Sequence, residues 1–174
     1  MRKLLLYSAL LLLTQCSTCK DNEHTPREPK LPAETQTGVG MMGCRVNGKV
    51  FAATKTTRVN ATWGCKGDCI SISGQLEDSE DSGALGLALN GVLTDDATFT
   101  LLDATQMPPN ANYGSAAFSY SACDYDGRLI KNGQVTLTRF DEVARVASGR
   151  FAFVLYKPGC DTLRVTDGRF DVKF

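Results

Sequence analysis

Apolar and polar residues alternate along short stretches of the chain from residue 43 onward. A period of two is typical of β-strands that bury one face and expose the other. The stretches that show it are Val59–Trp63, Ile70–Ile72, Leu85–Leu89, Phe118–Ala122, Val135–Leu137 and Phe170–Phe174. By contrast, the stretch from Phe151 to Tyr156 is apolar on both faces, which indicates a central strand.

Asn-Gly and Asp-Gly dipeptides separate several of these stretches. Asn47-Gly48 lies between two short apolar runs and therefore predicts a β-hairpin. Asn90-Gly91 and Asp126-Gly127 end apolar runs, and Asn132-Gly133 precedes another. Short strands joined by such turns predict an all-β fold, an antiparallel β-sandwich or barrel of about eight to ten short strands with little or no helix.

The first nineteen residues have a different pattern, which is typical of an export signal. Arg2 and Lys3 precede an apolar run from Leu4 to Leu13. This run is too short for a bilayer core, which needs about 20 helical residues, but it fits the apolar region of a secretory signal. The segment Leu13-Thr14-Gln15-Cys16 resembles the end of a bacterial lipoprotein signal, except that Gln15 stands where a small residue is usual. It predicts lipidation of Cys16; lipidation of Cys19, an ordinary cleaved signal and an uncleaved anchor are the alternatives.

These features divide the chain into three parts. Residues 1–15 are predicted to be a lipoprotein signal peptide. Residues 16–42 are polar, contain three prolines and show no apolar period, so they are predicted to form a disordered tether. Residues 43–174 are predicted to form a single β domain.

The predicted location is the cell envelope. An acylated export signal predicts a lipoprotein anchored in the outer membrane of a Gram-negative bacterium, facing the periplasm or the outside, with the membrane as a partner through the lipid. The chain after residue 15 has 17 basic and 19 acidic residues, a formal net charge of −2. Since it contains no basic run, no nucleic-acid partner is predicted.

Six cysteines remain besides the lipidated one, and export places them in an oxidising compartment. Cys65 and Cys69 lie between two strand-like runs, where a tight hairpin would bring them within disulfide distance. This pair could also suggest a metal or redox site, but the predicted domain contains no second close pair to complete a zinc site. Cys123 and Cys160, at predicted strand edges, are the second candidate disulfide, and Cys44 is expected to be a buried thiol.

The sequence contains no recognisable catalytic arrangement. The only histidine, His24, lies in the predicted tether, so no Ser-His-Asp or Cys-His site is expected in the domain. The acidic segments 77–81 and 124–127 could offer oxygen ligands to calcium, but neither has the spacing of a known calcium loop. No catalytic residue, cofactor or metal site is therefore predicted.

Aromatic residues are candidates for ligand contact. Trp63, Tyr113 and Tyr125 could form an exposed platform for a sugar or a protein partner. However, Trp63 and Tyr120 fall in alternating runs, and this pattern favours a place in the core for both.

Three short segments carry a resemblance to known proteins. They are Cys44–Lys49, Ser148–Phe151 and Thr166–Val172, the last with the sequence TDGRFDV. With these segments, the region 43–174 resembles a family of small bacterial lipoproteins of undetermined function. The resemblance implies the envelope location and the β fold, and it implies no mechanism.

Three hypotheses for the function follow. The first is a lipid-anchored β domain with a non-enzymatic binding or structural role, its partner an envelope protein or a glycan. The second is an inhibitor of an envelope hydrolase that inserts the stapled Cys65–Cys69 hairpin into an active site. The third is a small hydrolase acting on glycans, which requires a cleft with two carboxylates.

Overall fold

The computed structural model describes residues 30–53, 58–64, 68–77, 81–103, 105–106, 108, 111–120 and 122–174. This part of the chain contains eleven β-strands and one three-residue 3₁₀ turn at Gly127–Leu129. The all-β prediction is confirmed, with one strand more than the upper end of the expected range. The strands are β1 (Met41–Val46), β2 (Lys49–Ala53), β3 (Val59–Gly64), β4 (Cys69–Glu77), β5 (Ser82–Asn90), β6 (Thr98–Leu101), β7 (Tyr113–Tyr120), β8 (Cys123–Tyr125), β9 (Ile130–Asp141), β10 (Val146–Leu155) and β11 (Leu163–Lys173).

The strands form one sheet that curls round and meets itself. Its order is β2-β1-β11-β10-β9-β6-β7-β5-β4-β3, with β8 paired to β7. A further pairing of β2 with β4, at Ala52 and Glu77, joins the two sides and gives the sheet a closed, barrel-like form. Among the described residues, β6 and β7 are the parallel pair, and the other pairings are antiparallel.

The interior of this curled sheet is the hydrophobic core. The predicted inward positions Ile70, Ile72, Leu85, Leu87 and Leu89 are all at most 2% exposed, so the alternation pattern is confirmed there. The largest buried side chains are phenylalanines, and burying each stabilises the fold by about 1.5–3 kcal/mol. These are Phe51, Phe99, Phe118, Phe153 and Phe170.

Two Asn-Gly dipeptides have different outcomes. Asn47-Gly48 forms the β1–β2 turn, with φ of 48° and 89°, the left-handed conformation that a two-residue hairpin requires. Asn132-Gly133 lies inside β9, so the turn suggested by that dipeptide is wrong. A Cβ at Gly133 would lie 2.5 Å from the Cβ of Phe153, and close packing therefore explains this glycine.

Strands β10 and β11 pair through two segments with the same sequence, Gly-Arg-Phe, at residues 149–151 and 168–170. Ser148 lies opposite Asp171, and Phe151 lies opposite Gly168. A Cβ at Gly168 would lie 2.3 Å from the ring of Phe151, and one at Gly149 would lie 2.7 Å from the ring of Phe170. Each phenylalanine ring thus covers a glycine on the opposite strand, which locks the two strands in register.

The predicted disordered tether is wrong for its last part. Residues 31–40, here called the strap, lie against the outer face of the sheet, and β1 already begins at Met41. Pro32 packs on Gly43, where a Cβ would lie 2.5 Å from the proline Cδ. The rest of the predicted tether, residues 16–29, and the predicted signal peptide lie outside the described residues.

Replacing Gly168 with alanine should destabilise the domain by about 1–3 kcal/mol, because the new methyl group would collide with the ring of Phe151. Gly86→Ala is the matched control, since a Cβ there meets nothing within 4 Å and should change stability by less than about 0.5 kcal/mol. Urea denaturation followed by circular dichroism measures both variants. Equal stability of the two would contradict the proposed ring–glycine contact.

Candidate functional site

A buried carboxylate attaches the strap to the sheet. Asp171, on the outer side of β11, is fully buried beneath the strap. Its side chain accepts hydrogen bonds from the hydroxyl of Thr35 (2.6 Å) and from the hydroxyl of Ser148 (2.7 Å). It also accepts from the backbone amides of Thr37 (3.0 Å) and Gly38 (2.7 Å). The carboxylate is therefore the main polar contact between the strap and the sheet.

The environment of Asp171 determines its charge. Burial alone would raise the pKa of this carboxyl, but the hydrogen bonds from Thr35, Ser148 and the strap amides together outweigh burial, so its pKa lies below the usual value. Hydrogen bonds to the ionised form have this effect. Asp171 is thus ionised at neutral pH and can accept the hydrogen bonds of all these donors.

Two arginines lie side by side next to this contact. Arg150 on β10 and Arg169 on β11 are directly opposite each other in the strand pairing, so both side chains leave the same outer face. Like charges in this arrangement are destabilising unless an anion lies between them.

The strap supplies that anion through Glu34. The Glu34 carboxylate accepts from Arg150 Nη2 at 2.6 Å and from Arg150 Nε at 3.0 Å. Arg169 Nη1 lies 3.9 Å from its other oxygen and donates to the carbonyl of Pro32 at 3.3 Å. The hydrogen bond from Arg150 is the main reason that the pKa of Glu34 lies below its usual value.

A polar groove surrounds these charges. Two adjoining cavities, of about 360 and 390 Å³, share Glu34, Thr138, Arg150 and Arg169 in their walls. The groove runs over the outer faces of β9, β10 and β11. Its second half is lined mainly by polar side chains that can exchange hydrogen bonds with a ligand, namely Asp96, Gln134, Thr136, Thr138 and Asp167. We call the two cavities together the arginine groove.

The three aromatic residues that were candidates for ligand contact are half-buried or buried. Tyr125 is 4% exposed, and its hydroxyl donates to the main-chain carbonyl of Asp161 at 2.6 Å; its contact with a ligand stays a prediction. Trp63 is half-buried and packs against the rings of Phe140 and Phe174, with ring centroids at 6.0 and 5.5 Å. Tyr113 is half-buried at the start of β7, and none of the three lines the arginine groove.

The cysteines take distinct roles. Cys123 and Cys160 form a disulfide, which confirms that predicted pair. Cys44 is a free thiol in the core, and burial raises its pKa to about 12, so it remains protonated and unreactive. Cys69 is disulfide-bonded, but Cys65 lies outside the described residues, so the stapled hairpin and the inhibitor hypothesis stay predictions.

Neither a metal-binding group nor a membrane-spanning helix is present in the described part of the chain. Its histidine, cysteine, aspartate and glutamate residues form no cluster of three or more that could hold a metal ion. No helix there has the length and apolar character needed to cross a membrane. The acidic segment 77–81, one of the calcium alternatives, lies partly outside the described residues.

Comparisons with protein-family models, with curated proteins and with solved structures return no match. The resemblance to small bacterial lipoproteins stays a prediction from the sequence, and the function has to be inferred from the geometry of the groove.

The sequence contained a partial signal for this site. Ser148–Phe151 and Asp167–Phe170 share the sequence Gly-Arg-Phe, lie inside β10 and β11 and contain the two groove arginines. Their antiparallel pairing, which places the arginines side by side, depends on a strand register that the two segments do not specify by themselves. Glu34 had no signal, because it lies in a polar stretch without periodicity.

Removing the Asp171 carboxylate should release the strap. We expect Asp171→Ala to lower the free energy of unfolding by about 2–4 kcal/mol, because hydrogen bonds to a charged group contribute about 1.5–3 kcal/mol each and the freed amides recover part of this in water. Protease cleavage within residues 31–40 should become faster. Asp161→Ala, which removes another carboxylate outside the groove, is the control and should change stability by less than about 0.5 kcal/mol.

The same variant should alter the dependence of stability on pH. Because the folded state lowers the pKa of Asp171, its contribution is complete above the unfolded pKa of about 3.9. It is lost as the pH falls through the lower folded value. Unfolding measured from pH 7 to pH 2 should show a smaller acid loss for Asp171→Ala than for the natural chain. Identical acid profiles, or an intact strap in the variant, would contradict this role.

Proposed function

We propose that this protein is a lipid-anchored β domain of the cell envelope that acts by binding, and that the arginine groove is its ligand surface. The observation that carries the proposal is the pair Arg150 and Arg169, held side by side on the two paired strands β10 and β11. Paired strands of a sheet keep polar groups in fixed positions, and a concave surface with convergent polar groups is the usual form of a ligand site.

The charge state of the groove favours binding over glycan hydrolysis. A glycosidase needs one carboxylic acid whose pKa is raised, so that it is protonated when it donates to the leaving group. Glu34 lies between the two arginines and has its pKa shifted in the opposite direction. It is therefore suited to an ion pair and not to general-acid catalysis.

The envelope location is supported by the sequence alone. The basic start, the short apolar run and Cys16 together favour export and acylation. Several acyl chains on one cysteine would give a stable anchor, whereas one chain binds a membrane only weakly. The same features are compatible with either face of the outer membrane.

The anchor predicts a specific effect of one cysteine. Cys16→Ser should move the protein from the membrane fraction to the soluble fraction, because it removes the residue that carries lipid. Cys19→Ser is the matched control and should remain in the membrane fraction. Mass spectrometry of the mature natural chain should show an acylated Cys16 at its N-terminus. An unacylated start, or release by Cys19→Ser instead, would refute lipidation at Cys16.

The binding role predicts that the groove arginines are needed for retention on envelope material. The mature protein, in detergent, should bind saturably to envelopes from cells that lack it. The double variant Arg150→Ala with Arg169→Ala should bind about tenfold more weakly, a loss of about 1.4 kcal/mol. Arg128→Ala removes an exposed arginine that pairs with Asp126 and should bind normally. Equal binding by all variants would refute the groove as the ligand surface.

A further inference from the structure

The contacts of Glu34 identify the chemistry of a ligand. We propose that the arginine groove binds the carboxylate of an acidic glycan, and that Glu34 of the strap occupies the same position when no ligand is bound. This inference rests on the proposed binding function and specifies its ligand class.

The strand pairing places two positive charges side by side, and an anion between them is therefore favourable. Arg150 and Arg169 lie opposite each other on one face, and each guanidinium can donate two parallel hydrogen bonds to a carboxylate. Arg150 donates from both Nε and Nη2 to the same oxygen of Glu34, which leaves the other oxygen facing Arg169. A carboxylate of a ligand could take the same position and reach both arginines.

The other groups of the groove favour a single carboxylate over a highly charged anion. Asp96 and Asp167 line its second half, and because they repel an anion in proportion to its charge, they disfavour a doubly charged phosphate or a polyanion more than a single carboxylate. Asp167 also pairs with Arg45 at 3.4 Å. Carboxylates beside hydroxyl and amide groups are good acceptors and donors for the hydroxyls of a sugar. This combination fits a uronic acid, which has one carboxylate and several neutral hydroxyls.

The floor of the groove favours a glycan over a peptide strand. Peptides commonly bind a sheet by pairing with a free strand edge. Here the backbone groups of β10 pair with β9 on one side and with β11 on the other. Recognition must therefore come from side chains such as Gln134, Thr136 and Thr138, which suits a saccharide.

Glu34 can leave the groove without detachment of the strap. Its side chain is 43% exposed, and that of Arg150 is 64% exposed, so their ion pair is screened by solvent and contributes little. The strap is held separately, by the contacts of Thr35, Thr37 and Gly38 with buried Asp171. A ligand carboxylate thus competes with one exposed side chain and leaves the buried contact intact.

The test uses the mature full chain and, as the probe, a trisaccharide that contains a single galacturonate and two neutral sugars, with binding measured by isothermal titration calorimetry. The natural chain should bind it, and Glu34→Gln should bind about two- to fivefold more tightly, since the internal competitor has lost its charge and the exposed ion pair it formed was weak. Arg150→Ala and Arg169→Ala, each combined with Glu34→Gln, should lose binding. Arg128→Ala combined with Glu34→Gln is the control and should bind like Glu34→Gln alone. Thermal denaturation checks that each variant is folded, and Glu34→Ala should reproduce the effect of Glu34→Gln.

Two further probes decide between ligand classes. The methyl ester of the same trisaccharide has no charge and should not bind. A free peptide with the strap sequence LPAETQTGV should bind more weakly than the trisaccharide. Equal binding of the ester, tighter binding of the peptide, or no effect of Glu34→Gln would overturn the inference. In those cases binding of the natural chain to envelopes, lost with the arginines, would leave the broader binding function in place.

Discussion

The register between β10 and β11 determines both the core and the outer groove. Phenylalanine rings cover glycines on the inner face, and the same backbone pairing places Arg150 opposite Arg169 on the outer face. A shift of one residue would move the rings into solvent and the arginines into the core. The apolar packing inside the sheet therefore fixes the positions from which the two arginine side chains leave its outer face.

The strap covers part of the outer face of the sheet and buries Asp171 there. An outward position on a strand is ordinarily solvated, and an isolated carboxylate there would lose its hydration under any covering segment. In the described part of the chain, this carboxylate receives its bonds from hydroxyls and backbone amides of the strap and from Ser148. The hydration of this charge is thus replaced by fixed dipoles, and the strap becomes part of the domain.

Much of the sheet could be predicted from the sequence, but the strap could not. Alternation located the strands, because a strand with one buried face has a period of two. The Asn47-Gly48 turn could be predicted because asparagine and glycine tolerate the positive φ that such a turn requires. The contact between Glu34 and Arg150 joins residues 116 positions apart, and the strap is held by backbone amides that donate to Asp171. Neither contact leaves a period in the sequence. The turn expected at Asn132-Gly133 is absent because Gly133 lies within β9, where it allows close packing of Phe153.

The strap also determines the order in which contacts of the domain would break under tension. Tension applied to the chain on the N-terminal side of residue 30 reaches Pro32 and Glu34 first, then the bonds to Asp171, and only afterwards the β1 ladder. The exposed ion pair would yield at low force, which opens the arginine groove while the buried contact still protects the sheet. A domain connected in this way can change the accessibility of its surface under tension before any strand is lost.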